Sequence, residues 1–180
     1  MMQYRVRKAK HTDLSEIESL ISESVWELTI DDYTAEQIEG ALQAAWGVDS
    51  QLIEDRTYFV VESENQLMGC GGWSYRGTLF GNDSEEARCS DELNPKKDAA
   101  RIRAFFVKPS HARKGVGSIL MNECEKEARK KGFSRLALMA TLPGQRLYAR
   151  HGFVAGDVME YSLGNNLFIK FVPMSKDIYV

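Results

Sequence analysis

The residues best suited to bind an anion form one short segment of consecutive basic, glycine and hydroxyl residues: Arg113, Lys114, Gly115, Val116, Gly117 and Ser118. An apolar run ends shortly before this segment, and an amphipathic helical pattern begins within it. Unpaired N–H groups at a helix start carry the positive end of the helix dipole, and glycine lets a phosphate oxygen approach the backbone. This segment, called the anion loop below, is therefore predicted to hold a pyrophosphate, with a simple tight turn as the alternative.

The anion loop does not match the two common nucleotide signatures. The Walker signature requires Gly-Lys followed by Ser or Thr, whereas Lys114 precedes Gly115 here. The dinucleotide fingerprint requires a third glycine, which Met121 and its neighbours do not supply. Nucleotide binding of either kind is therefore disfavoured.

Composition and charge limit the class of ligand. The chain has 180 residues, 43% hydrophobic and 27% charged, which suits one soluble domain over residues 1–180. The net charge is −3, yet residues 101–135 carry a net +7 and the rest of the chain −10. Aromatic residues are not interleaved with these basic residues as in readers of single-stranded nucleic acid. A phosphorylated small molecule is expected, and a nucleic-acid partner is not.

The sequence also indicates a compartment and a redox state. No apolar run approaches the ~18 residues of a membrane-spanning helix, and no signal-peptide pattern begins the chain, so we expect a cytoplasmic protein without a membrane partner. The three cysteines are widely spaced and odd in number, and no two histidines stand at ligand spacing. Neither a disulfide framework nor a metal site is expected.

Hydrophobic periodicity predicts the elements that must position the anion loop. Strands are expected at residues 4–8, 57–62, 67–75, 100–107 and 135–140, with two more after residue 153 joined by a hairpin turn at 164–166. Helices are expected at 14–28, 34–46, 116–131 and 145–151. The order β-α-α-β-β-β-α-β-α-β-β predicts an α/β (α+β) fold with helices on a mixed sheet.

Two stretches stand out between these elements. Gly71 and Gly72 interrupt a strand, which indicates a bulge or cavity wall, or merely a weakened strand. Residues 77–98 show no periodicity and carry several acidic residues. We expect an exposed insertion at 77–98.

Two motifs stand about thirty residues apart: Val107-x-Pro109-x-x-x-Arg113-Lys114-Gly115-Val116-Gly117-Ser118-x-Leu120 and Leu147-Tyr148-x-x-His151-Gly152-Phe153. Their order and separation resemble the GNAT superfamily of acyl-CoA-dependent N-acetyltransferases, and the resemblance spans essentially the whole chain. It implies a single domain with a mixed, mostly antiparallel sheet and helices on both faces. It also implies a V-shaped splay between the strands at 100–107 and 135–140, with acetyl-CoA wedged in the opening.

The resemblance implies cofactor contacts at two places. The pantetheine amides would pair with the backbone of Phe105, Phe106 and Val107, and the pyrophosphate would lie on the amides of the anion loop. The chain departs from the family pattern at Ala112, where relatives often have Gln or Arg. Recognition through backbone amides does not depend on that side chain.

Tyr148 is the candidate catalytic acid, because the resemblance aligns it with a tyrosine that the family commonly places just before its Gly-Phe pair. A phenol can donate a proton to the departing thiolate of CoA. Packing of Tyr148 on Phe153 as a core aromatic is the alternative. No general base is assigned: Glu27, Glu62 and Asp83 are reachable guesses, and a water relay is an equal alternative.

The family's acceptor pocket would form between the first helix and the hairpin strands. Trp26, Tyr33, Trp73 and Tyr75 are therefore candidate substrate residues for an aromatic-walled site, with core packing as the alternative for each tryptophan. Arg103 is a candidate partner for a substrate carboxylate, with an exposed surface position as its alternative.

The function implied by the resemblance is transfer of an acetyl group from acetyl-CoA to a primary amine of a small molecule or a protein. A catalytically silent acyl-CoA-binding regulatory module is the alternative, because no base is evident. Such folds often pair terminal strands and sheet edges between subunits, so a homodimer is one expected assembly. The sequence specifies neither the acceptor nor the acyl chain.

Overall fold

The computed structural model describes residues 3–83 and 89–179. The strands in these ranges are β1 Arg5–Lys8, β2 Tyr58–Ser63, β3 Gln66–Ser74, β4 Ala100–Val107, β5 Arg135–Ala140, β6 Val154–Ala155, β7 Met159–Gly164 and β8 Leu167–Asp177. The α-helices are α1 Leu14–Thr29, α2 Ala35–Ala44, α3 Ser50–Glu54, α4 Val116–Lys130 and α5 Gln145–Arg150. Short 3₁₀ turns at His11–Asp13 and Pro109–His111 precede α1 and α4.

The strands form a sheet in the order β1-β2-β3-β4-β5-β8-β6, and β7 also pairs with β8. β4 and β5 run parallel, and the other strand pairs within the described ranges are antiparallel. The parallel pair is in register at Ala100 with Leu136 and at Arg101 with Ala137, and the two strands separate beyond these positions. This separation is the predicted V-shaped splay.

The sheet divides the buried side chains into two cores. Along β2, Tyr58 and Val60 face the core that contains the apolar sides of α1 and α2, whereas Phe59 and Val61 face the core under α4. Alternate side chains of a strand point to opposite faces, so each core receives one set. Helices thus cover both faces of a mostly antiparallel sheet, and the predicted α/β fold class is confirmed.

A β-bulge in β4 breaks this alternation beside the splay. The register of β3 against β4 shifts there, and Ala104 adopts a left-handed φ of 52°. Strict alternation from Ile102 would place Ala104 under α4, but Ala104 faces the α1 core and Phe105 faces the α4 core. Gly71 gives the Phe105 ring its space, because a Cβ on Gly71 would collide with that ring.

Local predictions mostly hold, with two exceptions. Thr34 caps α2 in a capping box, and Asn165 and Asn166 turn the β7–β8 hairpin with φ of 50° and 60°. The short helix α3 was not predicted, because five residues give no helical periodicity. The predicted strand after residue 153 starts with the two-residue β6, which a gap separates from β7.

The predicted insertion is only partly exposed. Thr78 and Gly81 are buried, and the Phe80 ring lies 4.9 Å from Tyr161 and 5.7 Å from Phe171 between centroids. Residues 84–88 lie outside the described part of the chain. The expectation of exposure is wrong at the start of the insertion, because the aromatic contacts of Phe80 hold that segment on the α1 core.

Candidate functional site

A cavity of about 230 Å³ occupies the splay between β4 and β5 and is lined from both cores. We call one side the cofactor end, lined by Phe105, Phe106, Val107, Gly144, Leu147 and Tyr148. We call the other side the acceptor end, lined by Val25, Trp46, Leu79, Phe80, Met139 and Phe171. The cofactor end reaches Val107, where β4 ends and the chain continues into the anion loop.

The anion loop has the backbone shape of an anion site. Arg113 and Gly115 have left-handed φ of 61° and 91°, and Gly115 is the N-cap of α4. A Cβ on Gly115 would meet no atom within 4 Å, so open space lies before this backbone. Arg113 and Lys114 are exposed, and neither forms a salt bridge with another described residue. These features fit a pyrophosphate held mainly by amides.

Packing, rather than the approach of a phosphate to the backbone, requires glycine at position 117. The expectation that Gly117 lacks a side chain in order to admit the ligand is therefore corrected. The residue is buried, and a Cβ there would lie 2.9 Å from Leu147 Cδ2. Leu147 belongs to α5, so the small residue lets α5 pack on the first turn of α4. The Gly117 amide stays a predicted cofactor contact.

The end of β4 borders the cavity where the pantetheine is expected. Phe105, Phe106 and Val107 line it, and the Val107 N–H donates to the Ser24 hydroxyl over 3.3 Å. This distance is beyond the usual range for an N–H···O hydrogen bond. Ser24 lines the same cavity, so a bound ligand can take over this weakly held amide.

Tyr148 lies in the cavity wall between two aromatic rings. Its ring centroid is 6.2 Å from that of Phe105 and 5.9 Å from that of Phe153. Burial raises the pKa of the Tyr148 hydroxyl above its ordinary value, so the phenol, which is protonated at neutral pH in any case, stays protonated to higher pH. The predicted packing on Phe153 and a position on the cavity wall are therefore compatible in one residue.

The two sequence motifs contact each other through Ser118 and His151. The Nε2 atom of His151, just after α5, lies 3.0 Å from the Ser118 Oγ atom in the first turn of α4. Burial, and then the charge of Lys176, lower the pKa of His151. A neutral imidazole therefore ties α5 to the start of α4.

Two predicted acceptor residues lie outside the cavity. The Trp73 indole donates to Glu127 over 3.1 Å and packs on Phe133, and Tyr75 stacks edge-on against Trp73. Glu127 is ten residues beyond Gly117 along α4, roughly 15 Å along the helix axis. The prediction of an acceptor wall built from Trp73 and Tyr75 does not match this placement.

Trp26 and Tyr33 are core residues beside the acceptor end and do not line it. Trp26 is half-buried against the α1 core. The Tyr33 hydroxyl donates to the Lys170 carbonyl over 2.8 Å and accepts from the Leu142 N–H over 2.9 Å. Tyr33 thereby joins β8 to the loop after β5.

Arg103 lines the cavity, but its guanidinium is tied to protein groups. It is 3% exposed, so the alternative of a surface position is wrong. Its Nη2 donates to Asp49 over 2.9 Å and to the Gly81 carbonyl over 2.8 Å, and Nη1 reaches the Thr78 carbonyl over 3.3 Å. Asp49 also caps α3. The buried ion pair therefore joins β4, α3 and the start of the insertion.

The aromatic wall that sequence reasoning missed consists of Trp46, Phe80 and Phe171. Phe171 lies 6.3 Å from Trp46 and 5.7 Å from Phe80 between centroids. Trp46 was assigned to a helix, and Phe80 to an exposed segment. One available signal was the aromatic residue in an otherwise polar insertion, since such a residue is usually packed.

The described lining residues of the cavity include no Asp, Glu or His. Glu62 pairs with Arg7 over 2.6 Å, Asp83 accepts a hydrogen bond from the Ser50 N–H, and Glu27 is exposed on α1. None of these three carboxylates, the possible bases named from the sequence, lines the cavity.

Two further findings on the described residues concern membranes and metals. No helix there is both long and apolar enough to cross a membrane. No cluster of three or more His, Cys, Asp or Glu side chains there is placed to hold a metal ion.

Comparison with known proteins gives a family match. The model of the "Acetyltransferase (GNAT) family" matches residues 17–153. A comparison with curated proteins finds no match.

Solved structures share the fold. A GCN5-related N-acetyltransferase from Rhodopseudomonas palustris is 20% identical, with coverage of 99% of this chain and 98% of that chain and a TM-score of 0.72. The PaiA N-acetyltransferase from Thermoplasma acidophilum, in complex with coenzyme A, is 18% identical, with 98% and 99% coverage and a TM-score of 0.67. The ribosomal-protein-S18-alanine N-acetyltransferase from Escherichia coli is 14% identical, with 99% and 96% coverage and a TM-score of 0.61.

Proposed function

The chain belongs to the acetyltransferase (GNAT) family, and we propose that it transfers the acetyl group of acetyl-CoA to a primary amine held in the splay between β4 and β5. The observation that carries this proposal is that the cavity ends at Val107, the last residue of β4, from which the chain continues into the anion loop. Tyr148 lines the cavity, the cavity reaches Val107, and an open left-handed N-cap follows at Gly115.

Successive segments of the chain would bind successive parts of acetyl-CoA. The amides from Arg113 to Ser118 would hold the pyrophosphate, with Arg113 and Lys114 adding positive charge. The backbone of Phe105 to Val107 would pair with the pantetheine. Bound there, acetyl-CoA supplies a thioester that is reactive toward amines.

Tyr148 would act as the proton donor of the reaction. Its hydroxyl is protonated at neutral pH, and burial raises its pKa further. A protonated phenol can donate to a sulfur that becomes a thiolate. Tyr148 would protonate the sulfur as the carbon–sulfur bond breaks, and the proton that the amine nitrogen loses as the amide forms would return to the Tyr148 oxygen, directly or through solvent. A neutral amine and a thioester therefore give an amide and a free thiol without net proton change.

The first experiment measures free thiol release from acetyl-CoA across a panel of amines, together with acetyl-CoA affinity by calorimetry. Thiol release that depends on an added amine supports the proposal. Tight acetyl-CoA binding with no thiol release for any amine would contradict it and favour the silent acyl-CoA-binding module. Cytoplasmic location, a homodimer and the lack of a nucleic-acid partner stay predictions from the sequence.

A further inference from the structure

The acceptor end is apolar over most of its surface. Its six defining side chains are all hydrophobic, and Leu28 at 37% exposure adds an apolar residue to the cavity lining. The aromatic rings of Trp46, Phe80 and Phe171 form its densest part. Burying an apolar group of the substrate against such a surface favours binding, whereas a polar, hydrated substrate chain would make no comparable contribution.

Among the described residues that line the cavity, no carboxylate is present to neutralise a cationic substrate, and the described carboxylates Glu18 and Asp83 line the adjoining pocket beyond Trp46. Arg103 is the charged side chain among the described lining residues, and its partner Asp49 is 2% exposed and already bound to it. The polar side chains at the cavity otherwise include the hydroxyls of Ser24, Thr29 and Thr141. A second ammonium group held inside the cavity would therefore meet no counter-charge among the described lining residues, which is costly.

The same surroundings act on the amine that reacts. An apolar, carboxylate-free site disfavours a bound ammonium ion, so the pKa of the bound amine falls and the free base is the form that binds. The free base carries the lone pair that attacks the thioester carbon. Solvent has then already removed the ammonium proton, so no protein carboxylate is needed to generate the nucleophile. The one further proton that the nitrogen loses as the amide forms is balanced by the proton that the sulfur gains.

We infer that the acceptor is a primary amine with one basic nitrogen on an aromatic or branched apolar body, and that it binds as the free base. This inference rests on the proposed acetyltransferase function. It predicts that a short diamine, which must hold its second ammonium group inside the cavity, is a poor acceptor.

A matched pair of substrates tests the inference. Benzylamine and 4-(aminomethyl)benzylamine share a ring and differ in one further ammonium group. We expect kcat/KM from thiol release to be about tenfold or more higher for benzylamine at neutral pH. Equal or higher kcat/KM for the diamine would overturn the inference while leaving the proposed function intact. Tight acetyl-CoA binding without amine-dependent thiol release for any amine would overturn the proposed function and the inference with it.

A binding measurement tests the free-base form without turnover. Calorimetry of benzylamine with CoA in place of acetyl-CoA, in two buffers of different ionisation enthalpy, reports protons released on binding. At neutral pH benzylamine is almost wholly protonated in solution, so we expect close to one proton released per amine bound. No proton release would mean that the ammonium form binds, and would overturn the inference.

A matched pair of variants tests the role of the missing carboxylate. Met139 lines the acceptor end on β5, and Met139→Glu and Met139→Gln differ mainly in charge. We expect Met139→Glu to raise the diamine-to-benzylamine ratio of kcat/KM by about tenfold over Met139→Gln, because it supplies a counter-charge. An unchanged ratio in folded variants would overturn the inference.

Discussion

The two ends of the cavity are built in different ways. The cofactor end comes from two short stretches of chain, the junction of β4 with α4 and the helix α5, and each stretch carries its own motif. The acceptor end collects α1, the segment 45–47, the segment 79–81, β5 and β8, which are far apart in sequence. Local backbone shape defines the first end, and long-range packing defines the second.

This difference has an energetic counterpart. In the anion loop, which follows the cofactor end along the chain, the decisive feature is a conformation, the left-handed N-cap at Gly115. At the acceptor end the decisive features are ties between distant segments, such as Arg103 with Asp49 and Asn82 with the Trp46 carbonyl. Substitutions of groups that meet the ligand, such as Gly115 and the Tyr148 hydroxyl, should change acetyl-CoA affinity or turnover with a small loss of stability, whereas substitutions of the ties at the acceptor end should change stability first.

The largest effect is expected for Arg103→Met. Removing the guanidinium breaks the ion pair and takes the Arg103 counter-charge from the buried Asp49 carboxylate, which should lower the free energy of unfolding by about 3–5 kcal/mol. Urea unfolding followed by fluorescence measures this loss. The double variant Arg103→Met with Asp49→Leu removes both charges and should recover part of the stability. Unchanged stability in the single variant would show that the acceptor end does not depend on this tie.

Next in size is Tyr148→Phe, which keeps the ring between Phe105 and Phe153 and removes the proton donor. We expect kcat to fall on the order of 10²-fold while acetyl-CoA affinity stays within about twofold. Steady-state kinetics with calorimetry checks both quantities. Wild-type turnover in the variant would assign Tyr148 to packing alone, and a matched loss of binding would assign it to positioning.

The pH dependence of the wild type follows from the same hydroxyl. Because burial raises the pKa of Tyr148, its donor form persists as pH rises through the ordinary tyrosine value near 10 and is lost only above it. We expect kcat to show no loss from tyrosine ionisation up to about pH 9.5. An alkaline decline with a midpoint well below 10, present in the wild type and missing in Tyr148→Phe, would contradict this assignment.

A smaller effect separates the two loop glycines. Gly115→Ala puts a methyl group into open space at a positive φ, so we expect acetyl-CoA affinity to fall about tenfold with a stability loss near 1 kcal/mol. Gly117→Ala drives a methyl group against Leu147, so stability should fall by about 1–3 kcal/mol with a smaller change in affinity. Equal losses of acetyl-CoA affinity in the two variants would contradict the assignment of Gly115 to ligand contact and of Gly117 to packing.

The fold was predictable from the sequence because its signals are local. Apolar spacing marked the long helices, Thr34 with Gln37 marked the start of α2, and the motif around Gly115 marked the junction of β4 with α4. The short α3 gave no such signal, since five residues complete little more than one turn.

The acceptor end was not predictable for a physical reason. Strand alternation puts Arg103 on a known face of β4, but whether that face is covered depends on residues 78–81, far along the chain. The bulge at Ala104 then shifts the alternation by one residue, and no residue type in β4 marks its position. Aromatic residues such as Trp73 and Phe80 could be sorted between core and cavity only after these long-range contacts were known.

The smallest effect we expect concerns Tyr58, which lies between the two ends. Its fully buried hydroxyl donates to the carbonyl of Ala104 over 2.9 Å, the residue that holds the bulge at a positive φ. Tyr58→Phe keeps the ring and leaves that carbonyl without its donor, so stability should fall by about 1 kcal/mol. The bulge lies between Arg103, beside the acceptor end, and Phe105, which it orients toward the cofactor end. We therefore expect KM to rise a few-fold for both acetyl-CoA and the amine. Proton donation by Tyr148 should not change. A KM change for one substrate alone would show that the bulge serves one end, and that the two ends are mechanically independent.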